Sequence, residues 1–140
     1  MTRKNIMRRL LLSGTGLIIL TAILFPVAMI LYFILDKTGN ATPESGIPWT
    51  IMIIVMHLLI LYAFREATTV NKRDGHLSNV VYIASGTGLL LFGLLFLIMA
   101  VEFLGDHNYY LTTIMIFFCF FCDILAAIIS FTALFLQPKG

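Results

Sequence analysis

From Leu10 to Leu35 the chain carries no charged side chain. Three more runs share this property almost completely: Ile47 to Phe64, Val80 to Val101 and Tyr109 to Leu136. The second contains one imidazole, His57, and the last contains one acid, Asp123. About 20 apolar residues in a helix rising 1.5 Å each cross the roughly 30 Å of hydrocarbon in a bilayer. With 60% hydrophobic and only 11% charged residues, 140 residues cannot hide so much apolar surface from water. The expected fold is an all-α integral membrane protein with four transmembrane helices, over 10–35, 47–64, 80–101 and 109–136, in one compact bundle. The second span is the shortest.

Charge placement predicts an orientation. Arg3, Lys4, Arg8 and Arg9 precede the first run, Arg65, Lys72 and Arg73 follow the second, and Lys139 follows the fourth. Every basic residue except Lys37 therefore falls on one side, which the positive-inside rule makes cytoplasmic. Both termini are expected there, in a cell membrane of the bacterial inner-membrane kind. Tyr32, Trp49, Tyr109 and Tyr110 fall at the level of one interface, and Tyr62 and Tyr82 at the other. The first run is about twice as long as the 7–15 apolar residues of a cleaved leader and reads as a retained anchor. The basic flanks favour an anionic leaflet, but no basic stripe suggests nucleic acid.

The pentapeptide SGTGL occurs at Ser13–Leu17 and again at Ser85–Leu89. Aligned there, Gly14, Thr21 and Ala28 match Gly86, Gly93 and Ala100, so small residues recur every seventh position in both runs. A seven-residue period keeps one seam on a partner helix, and small residues let backbones approach in lipid. TIMI likewise occurs at Thr50–Ile53 and Thr113–Ile116. Together these echoes suggest two tandem helical hairpins related about the membrane normal. Thr38–Pro48 and Glu66–Ser78 read as loops, too short for a catalytic domain. Asn40-Ala41-Thr42 is a glycosylation acceptor pattern, common by chance.

Ionisable groups at membrane depth carry the functional information, because an acid there costs roughly 2.5–3.5 kcal/mol on insertion scales. His57 and Asp123 lie at matched depth in runs of the same direction. The repeat places His57 opposite Phe120, one helical turn from Asp123, and so predicts a shared interior. Three roles compete for this pair: a polar clamp fixing helix register, a contact from Asp123 to a partner's basic group, and a proton or ion pathway. The nearby hydroxyls and thiol (Thr113, Cys119, Ser130) make a sparse relay.

Cys119-x-x-Cys122 has redox spacing. At that level alone the chain resembles small four-helix membrane oxidoreductases that pass electrons from thiols to quinones. The resemblance implies further loop cysteines, and this chain has two cysteines in all. Deep in a span, two small polarizable core residues is the simpler reading. Cys119, Cys122 and Asp123 do not converge as metal ligands, and haem at His57 would need a second His at the same depth. His76 and His107 lie in loops on opposite sides. No cofactor or metal motif is evident. The expected function is association, as an accessory subunit or homo-oligomer that docks through the glycine and alanine seams and the His57/Asp123 level, meeting lipid and another membrane protein or its own copies. A small transporter or channel-forming subunit, or a quinone-linked thiol oxidoreductase, are the alternatives.

Overall fold

The computed structural model describes residues 2–35, 43–73, 75–105 and 109–137. They form α1 (Arg3–Leu35), α2 (Pro43–Lys72), α3 (Asn79–Phe103) and α4 (Tyr110–Leu136). All four are long and apolar enough to cross a membrane. The chain is an all-α membrane bundle of four spanning helices. Asn40, Lys37, His107 and Lys139, which entered the sequence reading, lie outside the described residues.

Two helices extend past their expected limits. Helix α1 starts at Arg3 rather than Leu10, and α2 covers Pro43–Lys72 rather than 47–64. Much of both expected loops is therefore helical. Charge decided those limits in the sequence, yet a charged segment continues a helix where one face stays buried. In α2 that face is Phe64, Ala67 and Asn71, each at most 8% exposed. At the other end, Pro43 is the first helical residue, where its missing N–H costs nothing.

Helix α4 packs on α1 and α3, α2 packs on α1, and α2 meets α3 only lightly. The two hairpins, α1–α2 and α3–α4, are thus joined mainly through α1 and α4, and the ring of helices is left partly open between α2 and α3. The buried face of α4 explains its central place. Ala126, Ala127, Ser130 and Ala133 are small and recur at helical spacing, so neighbouring backbones come close.

Hydrogen bonds tie the helix ends at one side. Lys4 Nζ donates to the Lys72 carbonyl at 3.3 Å, and Asn71 Nδ2 donates to the Lys4 carbonyl at 3.3 Å. Gln137, just past α4, clasps the start of α3: its Nε2 donates to Leu77 O at 2.7 Å while its Oε1 accepts from Leu77 N at 3.0 Å. This basic end therefore gathers the start of α1, the end of α2, the start of α3 and the end of α4.

The interior has two apolar layers. Leu11, Ile18, Phe64, Leu89 and Ala126 belong to the layer nearer the basic end. Phe25, Ala28, Ile53, Phe96 and Ile116 belong to the other. In sequence, Thr21, His57, Phe92, Gly93 and Asp123 fall between the members of these two layers on their respective helices.

The aromatic residues divide differently from the sequence expectation. Trp49, Tyr62 and Tyr110 are more than 60% exposed to the surroundings of the bundle. Tyr82 instead turns inward and is 3% exposed. Its depth was readable, but its rotation about α3 was set by packing. Tyr32 and Tyr109 stack on one another with ring centroids 5.1 Å apart, and both meet Phe103.

Candidate functional site: a buried histidine and carboxyl pair

Helix α2 delivers His57 and α4 delivers Asp123 to the boundary between the two apolar layers. Their exposures are 1% and 0%. His57 Nε2 lies 2.7 Å from Asp123 Oδ2, the only hydrogen bond between α2 and α4 among the described residues. The other ring nitrogen, Nδ1, is 2.8 Å from the Ile53 carbonyl, one turn back on α2.

That second contact fixes the chemistry of the first. A carbonyl oxygen only accepts, so Nδ1 carries a hydrogen and donates to Ile53 O. One proton then bridges Nε2 and Oδ2, on the nitrogen in an ion pair or on the oxygen in a neutral pair. Either form has no net charge, which suits so deeply buried a pair. Adding or removing a proton would leave one buried charge uncompensated.

Neighbouring residues seal the pair. Phe92 and Phe96 of α3 stack against the imidazole, with ring centroids 5.0 Å and 5.8 Å away. Thr21 of α1 is 1% exposed and faces both the Asp123 carboxyl and the Cys122 thiol. Its own hydroxyl proton is committed to Leu17 O at 3.2 Å. Asp123 Oδ1 accordingly stays buried without a donor among the described residues. Thr21 was read from the sequence only as a seam residue. Its match with Gly93 in the repeat was the available sign, since Gly93 also borders Asp123.

The six seam residues all turn inward. A Cβ built at Gly14 would meet Phe64 of α2 and Ile129 of α4. One built at Gly86 would meet Phe131, and one at Gly93 would meet Ile124, both on α4. Thr21, Ala28 and Ala100 are at most 1% exposed. Side chains of this same chain fill both seams, so they do not face a separate partner. Gly16 differs from its neighbour Gly14, with open space where its Cβ would be.

The other candidate residues are also confined to the interior. Asp123 engages His57 and has no exposed surface to offer a partner's basic group. Ser130 Oγ donates to the Tyr82 carbonyl, and Thr113 Oγ1 to the Tyr109 carbonyl, each at 2.8 Å. These hydroxyls are tied to backbone rather than aligned toward the pair. Both imidazole nitrogens are engaged, which leaves His57 no lone pair directed at a haem iron. Cys119 and Cys122 are unbridged thiols, 0% and 5% exposed. Phe118 and Phe121, each next to one of these thiols, face outward.

The sequence matches no protein-family model, no curated protein and no solved structure.

Proposed function

We propose that this protein acts by association, as a small membrane subunit that receives a spanning helix of another chain, a second copy or a partner, on its open α2–α3 side. The observation that carries this reading is the shape of that side. Ile60 and Ala63 of α2 and Val81, Ala84 and Gly88 of α3 line an outward apolar groove. Ala84 and Gly88 are four residues apart on one helix face, the spacing that permits close helix approach in lipid.

In this reading the buried pair serves the bundle. It ties α2 to α4, and the His57 ring rests on Phe92 and Phe96 of α3, so it helps keep the groove in shape. An accessory role needs no water-filled path, and the sealed pair fits that better than it fits transport.

The test uses Ala84→Leu and Gly88→Leu. A Cβ at Gly88 would meet only Ile60 Cδ1, at 3.4 Å, an ordinary van der Waals contact. Native mass in mild detergent should exceed the 15.7 kDa of one chain for the wild type. The two variants should lose that added mass while keeping wild-type helicity. A wild type that stays a lone chain both in detergent and after cross-linking in its native membrane would contradict the proposal.

A further inference from the structure

A second groove lies on the opposite flank, between α1 and α2 at the basic end, with a volume of about 550 Å³. Its two ends differ in chemistry. Leu12 and Ile19 of α1 and Leu58 and Leu61 of α2 form an apolar floor. Arg65 and Lys72 of α2 line the other end. Arg65 and Lys72 are seven residues apart, two turns on one face, and both side chains are exposed. Neither has a carboxylate within ion-pair distance among the described residues. Next to this groove a smaller one, sharing Leu12, adds Arg8 and Arg9.

The dimensions fit one kind of molecule. From Leu58 to Lys72 the groove runs about 21 Å along α2, at 1.5 Å per residue. Half of a bilayer including its headgroups is about 20–22 Å. Cations line the outer half of the groove, Arg65 about 10 Å and Lys72 about 21 Å from Leu58, and the apolar floor lies on its inner half, an arrangement that matches an acyl chain ending in an anion. Basic pockets of this kind between spanning helices hold anionic headgroups.

We infer that the α1–α2 groove is a binding site for an anionic glycerophospholipid of the leaflet at the basic end. The phosphate sits between Arg65 and Lys72, and an acyl chain lies along Leu12, Ile19, Leu58 and Leu61. Arg8 and Arg9 raise the local potential and favour lipids with net negative charge over zwitterionic ones. The site is independent of the α2–α3 groove, and neither proposal needs the other.

The experiment is native mass spectrometry of the full chain in detergent, titrated with phosphatidylglycerol or with phosphatidylcholine of identical acyl chains. The wild type should retain phosphatidylglycerol at a concentration at least about fivefold lower than phosphatidylcholine, the factor expected for one cation near an anionic group. Arg65→Gln with Lys72→Gln should weaken phosphatidylglycerol retention about 25-fold, at about fivefold per charge. Both side chains are exposed, so helicity should not change. Arg73→Gln, an exposed cation at the same end outside the groove, should leave retention at the wild-type level. Equal retention of the two lipids would overturn the inference. So would an Arg73→Gln loss as large as the groove variant's, which would mean a diffuse field. Glycerol phosphate competing as well as the lipid would overturn it too, because the acyl trough would then play no part.

Discussion

A Cβ added at Gly93 would come within 2.8 Å of Ile124 Cδ1 and 3.6 Å of the Asp123 Cβ. Helix α4 thus lies against the bare backbone of α3 at the very level where its one acid is buried. The glycine is how the bundle brings a carboxyl to its centre: the two helices must be close for Asp123 to reach past α3 to α2. Close packing here and the polar contact to His57 are parts of one arrangement.

Gly93→Leu should therefore destabilise the bundle by about 1–3 kcal/mol, the usual cost of overpacking a filled core. Gly93→Ala should cost much less. The atom it meets is the tip of a flexible side chain, and alanine regains about 1 kcal/mol of helix propensity. Gly16→Leu, into open space, should cost nothing in packing and gain up to about 1 kcal/mol of helix propensity. Reversible unfolding in mixed micelles by added SDS would rank the three.

Asp123→Asn and Asp123→Ala should separate hydrogen bonding from charge. With Nδ1–H committed to Ile53, Nε2 accepts a proton from a neutral neighbour, and an asparagine amide can supply one. The Asn variant should lose less than about 1 kcal/mol. The Ala variant should lose about 1–3 kcal/mol, because it strands a buried ring nitrogen. The same SDS titration checks both. An Asn variant as weak as Ala would mean that the contact requires a carboxylate.

Gln137 should hold the α3–α4 end together through its two-way bond to Leu77. Gln137→Ala removes both of these and a longer bond from Nε2 to Asn79 Oδ1 at 3.3 Å, and exposes the Leu77 backbone. The expected result is a loss of about 1–2 kcal/mol, at about 1 kcal/mol per hydrogen bond. Faster amide exchange should be confined to Leu77 and the first turn of α3. Exchange spread evenly over the bundle would contradict a local clasp.

Cys119 and Cys122 should resist alkylation in the folded bundle, with or without reductant, since both are buried. Both should react after unfolding in SDS. A mass shift from two alkyl groups on the folded protein, dependent on prior reduction, would revive a thiol redox role.

The spans were legible because hydrocarbon leaves no alternative to burying backbone hydrogen bonds in helices, and long uncharged runs record that constraint directly. The depths of His57 and Asp123 were legible for the same reason: each is the only Asp, Glu, His, Lys or Arg of its run. Rotation about the helix axis was harder. Tyr82 sits at an interfacial depth yet points inward, and Gly16 belongs to the repeated motif yet points outward. Neighbouring helices decide such rotations, and in lipid both faces of a helix are apolar, so little periodicity betrays them. The end of α2 was missed because Arg65 and Lys72 mark a boundary in charge but not in backbone structure. The two grooves depend on how α2 lies against α1 and α3, which no single run encodes.

The central claim is that His57 and Asp123 hold α2 to the rest of the bundle by sharing one proton in a sealed site. A double-mutant cycle with His57→Leu and Asp123→Leu measures this most directly, read as SDS-induced unfolding in micelles. The account predicts that each single variant is destabilised and that the double variant is more stable than the sum of the two losses implies. The coupling should be about 0.5–2 kcal/mol, the range for polar contacts between membrane helices. Losses that simply add, or an Asp123→Leu variant as stable as the wild type, would contradict it.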